Sequence, residues 1–324
     1  MAALDERLPA GADSLRRAAW AGLQDSMPRA ALLSVHARVE SSGPSAWEDP
    51  SLVQVWGPRY STYVVAARDH DVFTLGRLPD DAAGRRLADS MADRLEGFLD
   101  GRRTTYAEAG HALGIRPTAL RYAAPTGRVL IRWEGAGQPT VWMVPPPVAD
   151  PLEARLELAR RFLHVFGPAT AAGFAEWAGI APARARTTFD ALTGSLVPVR
   201  TPVGDAWILA GDEVSFRTPA GPTAAARLLP SGDAYFLLQG ADRELLVPDG
   251  AQRRALWTPR VWPGALLVAG EIVGTWRRAA EKLSIQPWHR LSRVEHDAVD
   301  AEAASLPLPG VGGRIVVRGE DGAA

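Results

Sequence analysis

The chain has no cysteine, a single lysine (Lys282) and no long apolar run. Each absence excludes something. Without cysteine there is no disulfide framework, no thiolate nucleophile and no cysteine-based zinc site. The same absence suits a reducing compartment, so a cytoplasmic protein is expected. No segment approaches the roughly 18 consecutive apolar residues of a membrane span. The opening MAALDERLPAGADSL has neither the basic start nor the apolar stretch of a secretory signal. No GxSxG, P-loop or Rossmann fingerprint occurs. The Gly310-Val311-Gly312-Gly313 cluster opens no helix and reads as a turn. Histidine is scarce, with 6 in the chain. His289 and His296 lack a third ligand nearby, and His111 and His164 lack a partner at i+4, so no metal and no cofactor is expected. His111 and His164 are read as packing residues.

With lysine nearly gone, arginine carries the positive charge. The balance of 36 basic against 37 acidic residues gives a net charge of −1, less basic than many nucleic-acid binders. Arginine nevertheless suits bidentate contacts to phosphate and guanine. A composition of 47% hydrophobic and 23% charged residues is that of a globular chain, and 324 residues allow two or more domains.

A repeated order of elements divides the chain into four parts: 1–84, 85–149, 150–223 and 224–324. In the first, Asp13 or Ser14 caps a helix over SLRRAAWAGLQ, and Pro28 opens a second over PRAALLSVHARV. Strands LVQVWG and STYVVAA follow, with Gly57-Pro58 between them. In the second, RRLADSMADRLEGFLDG is an amphipathic helix ending at Gly101. Thr104 or Thr105 caps YAEAGHAL, Gly114 makes a turn, RPTALRYAA reads as a helix, and a hairpin turns at Ala136-Gly137-Gln138. The third repeats this order. A long helix PLEARLELARRFLHVFG precedes Thr170, the short helix AAGFAEWAG, a turn at Gly179, and PARARTTFDALTG opened by Pro182. Strands LVPVRTP and DAWILAG close it. The helix-turn-helix segments of the second and third parts overlay, each with Ala-Glu, then Gly-Ile, then a proline-containing start, as after an internal duplication. From about residue 224, AARLLPSGDAYFLLQG, RELLVPDG, ALLVAGEIVGTWRR and GRIVVRG read as strands, with HDAVDAEAASL as a helix. The expected fold is α+β: tandem winged-helix units followed by a C-terminal β-rich, barrel-like domain.

The second helix of a helix-turn-helix lies in the major groove when the unit binds duplex DNA in its usual way. That helix carries Arg116 and Arg121 in the second part, and Arg184, Arg186 and Thr187 in the third. These residues can bond phosphates or guanine edges, or can be solvated surface groups. Trp276 beside Arg277 and Arg278 can press on a DNA backbone or an exposed base, or can be a core tryptophan beside two exposed charges.

The segment WAGLQDSMPRAALLSVHARV resembles the signature of the AlkZ-like DNA glycosylases, in which a glutamine-containing triplet precedes Pro-Arg-Ala-Ala and an apolar helix. RLLPSGDAYFLL and GEIVGTWRR resemble that family's C-terminal domain, and the third part resembles its internal winged helix. The resemblance implies a monomer that binds double-stranded DNA and excises alkylated or crosslinked bases without a metal. A purine alkylated on a ring nitrogen is cationic and leaves readily. The enzyme must stabilise an oxocarbenium-like sugar and orient a water. By resemblance Gln24 orients that water, and Asp25 and Ser26 complete the triplet. The family's second polar residue is Gln or Asp, and here it is Ser26; Asp25 stands where an apolar residue is usual. In RYSTYVVAARD, Tyr60, Ser61 and Tyr63 replace a glycine–threonine pair and a histidine, and Arg59 is counted among the DNA contacts. The second reading is a non-catalytic DNA-binding or regulatory protein. The third is a protein-interaction scaffold, favoured if the helix-turn-helix arginines pair internally with Asp or Glu.

Overall fold

The computed structural model describes residues 4–27, 29–133, 137–218, 225–279 and 282–307, together with the backbone of 314–317. Pro28, Ala136 and the Gly310 to Gly313 cluster lie outside the described residues.

The chain begins with α1 (Ala12–Ala18), β1 (Leu23–Gln24) and α2 (Ala30–Arg38). Gly11 is the N-cap of α1 and offers no side chain, so neither Asp13 nor Ser14 caps it. Strands β2 (Leu52–Trp56) and β3 (Thr62–Ala66) follow, then the short α3 (His70–Thr74). Next come α4 (Ala82–Leu99), β4 (Thr104–Thr105) and α5 (Tyr106–Ala112), whose N-cap is Thr105. The segment expected as the next α-helix is a 3-10 stretch over Pro117–Thr126. Pro117 and Pro125 supply no N–H, and buried Leu120, Ala123 and Thr126 recur every third residue, the period of the tighter helix. Strands β5 (Val129–Arg132) and β6 (Thr140–Met143) complete a sheet of order β1-β3-β2-β5-β6-β4. The two hairpins therefore share one sheet, joined where Gln54 of β2 faces Ile131 of β5.

The next stretch holds α6 (Pro151–Phe166), α7 (Ala171–Ala178) and α8 (Pro182–Leu192), then the hairpin β7 (Leu196–Thr201) and β8 (Gly204–Leu209), and α9 (Glu213–Arg217). Its local signals all act. Asp150 caps α6, Thr170 caps α7, and Gly179 takes φ 70° between α7 and α8. Phe162, Phe166, Phe174, Trp177 and Phe189 fill a shared core.

The remainder comprises β9 (Ala226–Leu229), α10 (Arg243–Leu246), α11 (Gly250–Leu256), β10 (Gly264–Val268), β11 (Glu271–Ala279), β12 (Lys282–Pro287), α12 (Arg293–Ser305) and β13 (Arg314–Val317). The five strands form an open sheet, β13-β12-β11-β10-β9. The barrel expected from the sequence does not close among the described residues, because β9 and β13 are opposite edges. Helix α12 instead packs Val299 and Ala303 onto the cluster containing Leu228, Leu266 and Leu283. RELLVPDG, read as a strand, is helical at α10, where Arg243 Nε reaches back to the Leu238 carbonyl at 3.0 Å.

This last region is fastened to the first. Arg38 of α2 forms a two-pronged pair with buried Asp233, at 2.8 and 2.7 Å, and Ser34 donates to the same carboxylate at 2.6 Å. Arg7 bonds Glu302 of α12 at 2.6 Å. His111 and His164 are exposed, not packed inside as expected, and His164 Nδ1 lies 2.8 Å from Asp212.

Candidate active site between the first and last regions

Gln24 ends strand β1, and residues 24 to 26 differ in burial. Gln24 lies beside β3, paired with Tyr63, and is half-buried. Its Oε1 accepts from Arg59 Nη2 at 3.2 Å and from the Tyr63 hydroxyl at 3.3 Å. Two donors on the oxygen leave the Nε2 hydrogens to serve other groups. Burial pushes the Tyr63 phenol up to about 12, so it stays a donor near neutrality. On the other side stands Gly232. A Cβ there would come within 3.1 Å of Gln24 Nε2, and its φ of +79° also suits glycine.

Asp25 points elsewhere and is 4% exposed. Adjacent residues of an extended chain face opposite sides, so it cannot sit beside the Gln24 amide. Its Oδ1 accepts from the Ala31 N–H at 2.9 Å, and its Oδ2 from Gln54 Nε2 at 2.9 Å. Helix α2 needs this bond, because its N-cap, Arg29, takes φ 66° and gives no side-chain cap. Burial pushes the Asp25 carboxyl up to about 6, against the Ala31 hydrogen bond and nearby Arg29, which pull it down. Gln54 in turn accepts from the Trp133 N–H at 2.6 Å, tying the glutamine triplet to the centre of the six-stranded sheet. Ser26 is exposed. Gln54 was not singled out in the sequence. Its signal was a lone amide inside the apolar strand LVQVW.

The loop carrying Arg59 is held from behind. Arg59 and Tyr60 both have positive φ, 55° and 56°. Arg77 is buried, donates to the Ala178 carbonyl at 2.8 Å and the Trp56 carbonyl at 3.1 Å, and lies 4.6 Å from the Tyr60 ring. Burial lowers the Arg77 guanidinium to about 10, which leaves it charged at neutral pH. The Gly179 turn between α7 and α8 also meets this loop, since a Cβ on it would sit 3.1 Å from the Arg59 backbone.

The other expected DNA contacts separate into exposed and engaged residues. Arg116, Arg186 and Thr187 are exposed. Arg121 is half-buried, 6.0 Å from the Tyr106 ring. Arg184 pairs with Asp80 at 3.0 Å, its side chain only 12% exposed. Trp276 is buried and donates to the Leu229 carbonyl at 2.8 Å, while Arg277 and Arg278 beside it are exposed.

Two cavities adjoin the triplet without including Gln24 in their walls. One, of about 390 Å³, lies between the start of α2, the Pro230-Ser231 turn and β11. The other, of about 440 Å³, lies between α1, the end of α6 and Tyr235. Among the described residues no group of three or more His, Cys, Asp or Glu is placed to hold a metal ion. No helix among them is long and apolar enough to cross a membrane.

The chain is a mixed α+β protein in which the turn between α7 and α8 packs against the loop whose Arg59 holds the Gln24 amide. The model of the DNA glycosylase AlkZ-like family matches residues 17–307, and the chain belongs to that family. An interstrand DNA cross-link repair glycosylase of Streptomyces sahachiroi is 27% identical over 174 residues, 52% of this chain and 46% of that protein. The aligned part is thus about half of each. The solved structure of the Streptomyces sahachiroi DNA glycosylase AlkZ superposes with a TM-score of 0.74 at 19% identity, covering 97% of this chain and 94% of the other, a likeness of fold.

Proposed function

We propose that this protein is a DNA glycosylase that hydrolyses the N-glycosidic bond of alkylated bases in double-stranded DNA, acting as a cytoplasmic monomer, with Gln24 orienting the attacking water. The observation that carries this reading is the Gln24 amide, clamped by Arg59 and Tyr63 in a chain of this family. A fixed amide can hold a water or the developing sugar charge without reorganising during the reaction. A cationic alkylated base needs no protonation to leave, so no strong acid is required. Asp25, tied to α2, acts by placing Gln24, and exposed Ser26 lies at the rim. Arg116, Arg186 and Thr187 contact the duplex through tandem winged-helix units, and Arg277 and Arg278 through the last sheet. The name of the Streptomyces relative extends the substrate range to interstrand crosslinks.

A second reading, a DNA binder without turnover, is favoured by one fact: the Asp25 carboxylate is spent on Ala31 and Gln54, away from the Gln24 amide. Base release from a globally alkylated duplex separates the two. Release by the wild type that falls about a hundredfold or more in Gln24→Ala supports hydrolysis. Salt-dependent binding with no release supports the second reading.

A further inference from the structure

The cavity of about 440 Å³ between α1, the end of α6 and Tyr235 plays no part in the proposed reaction. Gly22 and Leu23 belong to its wall, and the Gln24 amide does not. Among the described residues five basic side chains stand in that wall, Arg16, Arg17, Arg38, Arg68 and His164, and no acidic one. Two of the five are committed elsewhere. Arg38 is held by Asp233 at 2.7 Å, and His164 Nδ1 lies 2.8 Å from Asp212. The other three keep donors in reserve. Arg17 is exposed and makes no side-chain hydrogen bond or ion pair among the described residues. Arg68 lies 3.7 Å from Asp69, a carboxylate already taken by Arg161 at 2.9 Å. Arg16 reaches the exposed Asp13 at 3.3 Å, and its Nε is buried with no acceptor. Exposed pairs of this kind contribute little, so an entering anion can draw these arms away at small cost.

The rest of the wall is apolar. Leu8, Ala21 and Val165 give aliphatic surface, and Trp20 and Tyr235 give aromatic surface. Tyr235 donates its hydroxyl proton to the Gly270 carbonyl at 2.8 Å, so it offers the cavity a ring rather than a donor. The Trp20 indole is steadied by Arg161, 5.0 Å from its centroid, and by the edge-on His164 ring at 5.2 Å. Contacts to a phosphate backbone need charge and no apolar hollow. Small-molecule sites have the composition seen here, mostly apolar walls with a few polar groups that fix orientation, and volumes of about 300–1,000 Å³. The guanidinium fork matches a carboxylate two bonds at a time.

We propose that this cavity binds a small aromatic carboxylate. Its ring lies between Trp20, Tyr235 and the aliphatic wall, and its carboxylate accepts from Arg17 and Arg68, with Arg16 as the third cation. Such a site is independent of base release.

The test uses 2-naphthoate as probe and 2-naphthamide as its uncharged counterpart, titrated into the full chain by calorimetry. Naphthoate is expected to fill one site with a Kd of about 0.1 mM or tighter. Naphthamide is expected to bind about tenfold more weakly or worse. Arg17→Ala and Arg68→Ala, both at exposed positions, are each expected to weaken naphthoate about fivefold or more and to leave naphthamide unchanged. Ala21→Trp fills the hollow and is expected to remove binding of both probes. Should that variant lose its thermal transition, the two arginine variants still decide. Absence of saturable binding, equal affinity for acid and amide, or a naphthoate affinity that the arginine variants or a folded Ala21→Trp leave intact overturns the site. Failure of naphthoate to bind, together with arginine variants that lower duplex affinity and its salt slope, overturns it too and gives these arginines to DNA.

Discussion

At the scale of single residues, burial and two hydrogen bonds tie the Asp25 carboxyl to helix α2 and strand β2. Its oxygens serve the Ala31 N–H and the Gln54 amide, and its carboxyl is held up at about 6 against a free value of 3.8. A group with a raised pKa binds its proton more tightly in the folded chain. Native stability therefore falls as pH rises from about 4 to about 6, where the unfolded chain has already released that proton. Asp25→Ala removes both the bond to α2 and the titration. It is expected to lose about 1–3 kcal/mol in urea unfolding, with the larger deficit at pH 4 and the smaller at pH 7. A deficit that grows with pH would show that Asp25 is stabilised as the anion.

At the scale of elements, the helix-turn-helix of α7 and α8 has two faces with different duties. Arg184 faces Asp80, which also receives Arg155 at 2.7 Å. Arg186, two residues on, is exposed and makes no hydrogen bond or ion pair among the described residues. Arg186→Ala is expected to weaken binding to duplexes of any sequence and to lower the slope of log affinity against log salt by about 1. Arg184→Ala is expected to keep that slope and to lower stability by about 1 kcal/mol, read from thermal melts. The reverse pattern would move the DNA contact to the Asp80 side. The internal pairing of Arg184 is the feature the scaffold reading asked for, yet it involves one arginine of the helix and leaves Arg186 available.

This motif was legible in the sequence because its signals are local: a threonine cap, a glycine with positive φ, and a proline in the first turn of α8. Non-local decisions were not legible. Nothing near Gln54 reveals that β2 will face β5, some 77 residues later, and merge two hairpins into one sheet. Nothing in GRIVVRG reveals that it runs parallel to β12 and leaves the last sheet open. Prolines did mark the Pro117–Thr126 segment, but helical propensity around them masked the tighter turn. Gln24 came from resemblance alone, and its clamp of Arg59 and Tyr63 needed the backbone fold to appear.

At the scale of the whole molecule, the site exists because the last region is pinned to the first. The turn that brings Gly232 against Gln24 ends at Asp233, and Asp233 is fully inside, held by Arg38, Ser34 and the Tyr235 N–H at 2.9 Å. Burial works against its charge, while Arg38 and these donors outweigh it and keep the carboxyl below its ordinary value. The stability it contributes is present at neutral pH and is lost as pH falls below about 4, through the depressed folded value. Removing one partner of a buried pair leaves the other charge unpaired, so Asp233→Ala is expected to cost about 3–5 kcal/mol in chemical unfolding. The same change frees the Pro230–Gly232 turn. Where the variant remains folded, base release should therefore fall while the salt dependence of duplex binding stays that of the wild type. A variant that unfolds with wild-type stability, or that releases bases at the wild-type rate, would show that the two regions hold the Gln24 amide in register without this pair.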